Sequence, residues 1–288
     1  MTTKFTAGNL SAGKELIMKK ALLFAATAAV ALLTACSSGA LYKNVKTEET
    51  FRRIKDTNPQ DLGIKTVSYD YKITGGTKID AMSIDMMEGD RLRISYSKNK
   101  KTVFTCIMNK EKFCRINADK KVEALDAAGQ GTLKFFYDIN FKDPAKAAKY
   151  ITLTNEKPVV EGKKSYYVFD LAPKKVYGLD KVTLKVNAKT GFIEAVDFQY
   201  PENEQELIVK NAYNNITVKS GLTVAQTIES SFLGKKFTYK LTDFAINRSV
   251  KADDFNVPEI KVQDVKAEKK VDKKADKKTV KDVSKKTK

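Results

Sequence analysis

"IKTVSYDYKIT", residues 64–74, sets the architecture. Val67, Tyr69, Tyr71 and Ile73 fall on one side of an extended chain, and Ser68, Asp70 and Lys72 fall on the other. An apolar–polar alternation of period two marks a strand with one dry and one wet face. A helix would scatter the same residues around its circumference.

The pattern repeats outward from this stretch. Gly75-Gly76 turns the chain, and Met82, Ile84 and Met86 then share a face. After Glu88-Gly89-Asp90, Leu92, Ile94 and Tyr96 do the same, and "KTVFTCIM" and "KFCRINA" make a hairpin. Five strands joined by short turns form a meander, so the sheet is antiparallel. Upstream, "TEETFRRIKDT" from Thr47 reads as a helix, with Thr47 as cap, Glu48 and Glu49 at its positive end, and Asn58-Pro59 as stop.

The alternation fails from Lys121 to Lys149. Helix-like pieces lie there around a Gly-Gln-Gly break, and Asp143-Pro144 reads as a cap followed by Pro at the first helical position. Phe135, Phe136, Tyr137 and Phe141 make this stretch aromatic. Strands then resume, from "YITLTNE" to "KKFTYKLTDFAINRSV", with a hairpin bend at Lys189-Thr190-Gly191. The count is about eleven strands. The expected fold is mainly β with helices: a curved antiparallel sheet, an incomplete barrel with a helical lid, wet on its outer side. One leading helix and a short insertion look too small to fill so large a concavity, and a partly filled apolar hollow is a ligand cavity.

Ahead of the sheet lies "MKKALLFAATAAVALLTAC", residues 18–36. A positive start, a short apolar core and small residues at the end make a secretory signal, too short to span a bilayer comfortably. Leu33-Thr34-Ala35-Cys36 resembles the bacterial lipobox, which implies acylation of Cys36 and cleavage before it. The competing reading is an ordinary cleavable signal with an incidental cysteine. Two or three acyl chains would hold a membrane stably. Ser37 and Ser38, with no Asp after the cysteine, fit the sorting pattern for the outer membrane. Residues 1–17 precede this segment, and translation is expected to start at Met18, a long genuine leader being the alternative. The expected organisation is a signal peptide at 1–35, a lipidated tether at 36–46, a domain at 47–260 and a disordered tail at 261–288.

The net charge is +18 with no His and no Trp. Lacking His, the chain cannot build the usual catalytic triads or most zinc sites, and nothing in it asks for a cofactor. The tail carries 12 Lys against 5 acids. A basic exported protein faces anionic lipid head groups, lipopolysaccharide or wall polymer, and nucleic acid is not expected. Cys106 and Cys114 flank a hairpin which, if centred on Lys110, sets them opposite each other within disulfide reach. Two half-buried free thiols are the alternative.

Several phrases together resemble the periplasmic lipoprotein-carrier superfamily, the LolA/LolB-like proteins. They are "MNKEKFCRIN" (108–117), "YYVFDLAPK" (166–174) with "VTLKVNAKTGFIEAVDFQY" (182–200), and "TYKLTDFAINRSVKADDFNVP" (238–258). The element order helix, meander, helical insertion, meander agrees. The chain departs from the pattern in its missing Trp and its Lys-rich tail. The resemblance implies a hollow that holds acyl chains. Its lining would be Val67, Tyr69, Tyr71, Met82, Ile84, Met86, Leu92, Ile94, Tyr167, Phe169, Leu184 and Phe198, with Phe135 and Phe136 as lid. The same residues could equally be plain sheet core. The functional expectation is a lipid-anchored protein at the periplasmic face of the outer membrane that binds or relays a lipid or lipoprotein acyl chain. The alternative is a tethering lipoprotein whose basic tail contacts anionic envelope polymer or a partner protein. Enzyme chemistry would fall to carboxylates such as Asp70, Asp80, Asp85 and Glu88, which alternate outward or sit near turns.

Overall fold

A computed structural model describes residues 59–60, 62–75, 79–141, 151–174, 177–200 and 207–259. The signal segment, Cys36 and its tether, the helix expected from Thr47, the Asp143-Pro144 helix start and the Lys-rich tail lie outside the described residues. The first six strands are β1 (Thr66–Thr74), β2 (Ala81–Met87), β3 (Arg91–Lys98), β4 (Lys101–Asn109), β5 (Lys112–Asn117) and β6 (Val122–Ala124). Helix α1 (Ala127–Asn140) follows. Then come β7 (Ile151–Glu161), β8 (Lys164–Pro173), β9 (Lys181–Asn187), β10 (Ile193–Tyr200), β11 (Leu207–Lys219), β12 (Leu222–Phe232) and β13 (Lys235–Ile246). A 3-10 turn at Ala252–Phe255 ends the described chain.

The strands form one 13-stranded antiparallel sheet, ordered β6-β5-β4-β3-β2-β1-β13-β12-β11-β10-β9-β8-β7. The sheet does not close. Each meander is continuous in space, and the two join where the first strand pairs with the last: Val67 opposite Ile246 and Tyr69 opposite Phe244. The two extra strands relative to the expected eleven include the three-residue β6, too short to show a period. The free edges are β6 and β7, and β7 carries Pro158.

Register follows the apolar pattern. Val67, Tyr69 and Tyr71 stand opposite Met86, Ile84 and Met82, which stand opposite Leu92, Ile94 and Tyr96. A slip by one residue would turn each row out to water, so burial of one face pins the pairing. Tight hairpins help. Asn99-Lys100, Ser220-Gly221 and Leu233-Gly234 are two-residue bends with both φ angles positive, the geometry whose twist matches paired strands. Register shifts between Asp70 and Tyr71 and between Tyr96 and Ser97 add local bends to the sheet.

The outer face is wet only in part. After β13 the chain folds back over β3–β5, and Phe255, wholly buried, packs with Ile107 and Cys114 into a second small core. Arg93 anchors it. Its guanidinium donates to Asp85 Oδ2 at 2.8 Å through Nη2 and lies 5.8 Å from the centre of the Phe255 ring. Asp85 also accepts from Ser68 Oγ at 2.7 Å. Farther back, Thr66 Oγ1 donates to the Arg248 carbonyl at 3.0 Å. The closing segment thus covers apolar residues that an alternating strand would otherwise leave in water.

The cysteine pairing expected from the sequence is not what the hairpin makes. Asn109 pairs with Lys112 across a two-residue bend, so Cys106 stands opposite Arg115 and Cys114 opposite Ile107. Moving the bend centre by half a residue puts the two thiols on opposite faces. Cys106 joins the main core, Cys114 joins the Phe255 cluster, and both are free. Burial pushes the Cys106 thiol up to about 12 and the Cys114 thiol up to about 11. Both therefore stay protonated and poorly nucleophilic at neutral pH. In the unacylated Cys36→Ser protein, Ellman's reagent at pH 8 should label neither thiol while folded and both in denaturant, without prior reduction. Rapid labelling of the folded protein would contradict this placement.

Candidate lipid-binding hollow

The inner face gathers the residues that the alternation picked out. Val67, Tyr69 and Tyr71 come from β1, Met82, Ile84 and Met86 from β2, and Leu92 and Ile94 from β3. The other half of the sheet contributes Phe169 from β8, Leu184 from β9 and Phe198 from β10. All of these are at most 3% exposed and belong to one apolar cluster, with Tyr167 partly buried against it. Rows run straight across the wall: Phe169 opposite Leu184, and Leu184 opposite Val196.

Helix α1 lies on this face. Asp126 caps it, accepting from the Gly129 N–H at 2.8 Å. The Gly-Gln-Gly stretch does not break the helix but forms its first turns. Glycine costs about 1 kcal/mol in a helix, and this end of α1 is tightly packed. Gly129 and Gly131 are buried, and a methyl group at Gly178, whose φ is +59°, would lie 2.8 Å from the Ala128 Cα. Phe135 and Phe136, the expected lid, are 1% exposed. Phe135 meets Tyr177 edge-on at 5.0 Å and Phe198 at 6.1 Å, which joins predicted lid to predicted lining.

Polar side chains fasten the helix to its surroundings. Tyr137 Oη donates to the Met87 carbonyl at 2.7 Å and accepts from the Asp90 N–H at 3.1 Å. Tyr177 Oη donates to Asp138 Oδ2 at 3.1 Å. Lys134 reaches Glu111 at 3.8 Å. These links tie α1 to the β2–β3 and β4–β5 turns on one side and to the segment after β8 on the other. Thirteen strands spaced about 4.8 Å apart make a wall on the order of 60 Å around. Fourteen helical residues reach about 21 Å. The helix is therefore a strap, and the wall closes largely upon itself.

No family model matches the chain, and no curated protein matches it significantly. Solved structures do. A LolA superfamily protein from Nitrosomonas europaea superposes with a TM-score of 0.53 at 13% identity, over 74% of this chain and 99% of its own. A putative outer membrane lipoprotein-sorting protein domain from Vibrio parahaemolyticus gives 0.51 at 14% identity, over 73% and 94%. A DUF1329 family protein from Desulfovibrio piger gives 0.51 at 12% identity, over 73% and 95%. The fold is LolA-like.

Among the described residues the inner face of this LolA-like sheet is packed. The expectation of a thinly roofed, partly empty concavity gives way to an inner face packed with aromatic rings. Tyr71, Tyr96, Tyr239, Phe135, Phe136, Phe169 and Phe198 are among the largest side chains fully withdrawn from solvent. Sequence reading placed Tyr96 beside Leu92 and Ile94 but left it out of the lining, and it missed Tyr200, Tyr213 and Tyr239. All three tyrosines continue the same alternation on longer strands. Tyr96 stacks obliquely on Phe104 at 4.4 Å, and Arg115 lies over the Phe104 ring at 4.2 Å.

The candidate carboxylates do not converge on the hollow. Asp85 is paired with Arg93, Asp70 lies 3.5 Å from Arg248, and Asp80 accepts from the Asn99 N–H at 2.8 Å. Glu88 sits at the β2–β3 turn, where its carbonyl accepts from Arg91. A groove of about 540 Å³ opens across β10–β13, with Asp197, Lys210, Glu229 and Lys236 in its lining. Asp197 pairs with Lys210 at a distance of 4.0 Å, and burial raises its carboxyl above the usual value.

Burial raises the hydroxyl pKa of Tyr69, Tyr71, Tyr96, Tyr200, Tyr213 and Tyr239 above the ordinary tyrosine value. Unfolded tyrosines lose their protons near pH 10 while these keep theirs, so the unfolded state binds fewer protons and folding weakens as pH rises. Each tyrosine withdraws up to about 1.4 kcal/mol per pH unit in that range. Thermal melts should hold level from pH 7 to about 9 and fall steeply above about 10. A flat profile to pH 11.5 would show that the rings are hydrated.

Proposed function

We propose that this protein is a lipid-anchored, non-enzymatic protein of the bacterial cell envelope that binds or relays a lipid or lipoprotein acyl chain in the hollow of its sheet. The observation that carries the reading is an apolar inner wall strapped, among the described residues, by one helix tied to the surrounding turns through the Tyr137 and Tyr177 hydroxyls. Such a wall cannot be left bare, yet its cover on this side is light. A hydrocarbon chain can take the place of α1 against the same surface, because both offer only apolar area. Aromatic and methionine side chains re-pack at little cost, which suits an occupant of variable shape. The LolA-like fold supports the reading through the resemblance noted in the sequence.

The structure described is then the closed state, and the Tyr137 hydroxyl is its main latch. The full-length Cys36→Ser protein should bind 11-(dansylamino)undecanoic acid with micromolar affinity, read by the blue shift of its emission. Tyr137→Phe removes about 1 kcal/mol of net hydrogen bonding from the closed state. It should bind the probe several-fold faster and tighter while melting lower. A lower melting point with unchanged binding would show that α1 is fixed structure. A probe that ignores both proteins would reject lipid binding.

Anchoring has its own test. The wild-type protein expressed in a Gram-negative host should sediment with membranes and carry acyl mass on Cys36. The Cys36→Ser protein should be released from them. Sedimentation of both alike would remove the anchor from the proposal.

A further inference from the structure

One spot on the inner wall is polar where everything around it is apolar. Asn211 on β11 and Ser230 on β12 are direct cross-strand partners. They continue the row that runs Phe169, Leu184, Val196, Asn211, Ser230, Phe237 across five strand boundaries. Both side chains are buried, Asn211 at 1% and Ser230 at 2% exposure. Asn211 Oδ1 and Nδ2 and Ser230 Oγ have no hydrogen-bond partner among the described residues. Their neighbours along the strands, Val209, Tyr213, Ile228 and Phe232, are all buried.

A buried donor or acceptor left unpaired is destabilising. Leucine at 211 would fit the row and carry no such penalty, so the amide calls for an explanation beyond packing. Its chemistry is specific. An amide offers one donor group and one acceptor side by side, and the serine hydroxyl beside it can do either. The residues that flank the pair along and across the strands on the inner face, Val196, Val209, Tyr213, Ile228, Phe232 and Phe237, carry no charge. Asp197, Lys210, Glu229 and Lys236 alternate to the outer side of the same strands and line the groove there, which Asn211 and Ser230 also border.

We infer that Asn211 and Ser230 form the polar subsite of the hollow and take the uncharged ester linkage of an acylglycerol. The amide N–H donates to the ester carbonyl, Asn211 Oδ1 accepts from a glycerol hydroxyl, and Ser230 Oγ completes the contact. A fatty-acid carboxylate or a phosphate would arrive there without a cation to meet it, at a large desolvation cost. The inference rests on the lipid-binding reading and narrows it, from any acyl chain to a chain joined through a neutral ester.

The test is competition against 11-(dansylamino)undecanoic acid on the full-length Cys36→Ser protein, with 1-monooleoylglycerol and oleic acid as competitors. Monooleoylglycerol should displace the probe at about tenfold lower concentration than oleate, the equivalent of about one hydrogen bond. In Asn211→Leu that preference should vanish, oleate and probe should bind within twofold of before, and the unliganded protein should melt at the same or a higher temperature. Ser230→Ala, a smaller change, should reduce the preference about threefold and serves if Asn211→Leu does not fold. A lower melting point with all ligands weakened together would make the pair structural and overturn the inference. So would a wild type that binds both lipids equally, while leaving lipid binding itself standing. A wild type that takes up neither lipid nor probe would overturn lipid binding and this inference with it.

Discussion

One face of an antiparallel sheet can live in water, but the other must be covered, and that constraint shapes this molecule. Its inner rows, built from residues such as Val67, Ile84, Ile94, Leu184 and Val196, are wholly buried. A 13-stranded wall is far broader than its one described helix. The sheet therefore curls until its own aromatic side chains meet, and α1 bridges what remains. Phe135 against Phe198 is one place where strap and wall touch.

The same constraint explains the polar chemistry at the margins. Where the closing segment crosses β3–β5, apolar side chains appear on the outer face too, and Arg93, Asp85 and Ser68 fasten the cover in place. Where α1 crosses the inner face, tyrosine hydroxyls do the fastening. A tyrosine suits that position because its ring joins the core while its oxygen reaches a turn. The two covers differ in depth of attachment. The outer one is pinned by the Arg93–Asp85 pair beneath Phe255, and the inner one by the Tyr137 and Tyr177 hydroxyls at its margins and Phe135 and Phe136 in the core.

Period two was enough to read the sheet, its meander order and much of its buried inner face from sequence, because each strand shows its two faces in its own alphabet. What escaped has definite causes. Strand β6 is three residues long and has no measurable period. The hairpin at Lys110 could turn about a residue or about a bond, and only φ of +56° at Lys110 with the Asn109–Lys112 pairing shows which. Gly129 and Gly131 looked like a break because the close approach of Gly178 to the neighbouring Ala128 leaves no trace in local sequence. Asn211 is a polar residue in the apolar register between Val209 and Tyr213, and local sequence does not show whether its amide finds a partner. The fill of the hollow depended on how tightly the wall curls, which no single strand encodes.

An unclosed sheet has two ends, and each is a row of unsatisfied backbone groups able to recruit a foreign strand. Here one end is β6, with three residues, and the other is β7, with a proline partway along it. A three-residue template offers a newcomer too few bonds to offset its ordering, and proline deletes a donor from the longer one. The molecule can thus remain unsealed without inviting its copies to stack end to end into fibres, and keep the slack that a closed ring of strands would forbid.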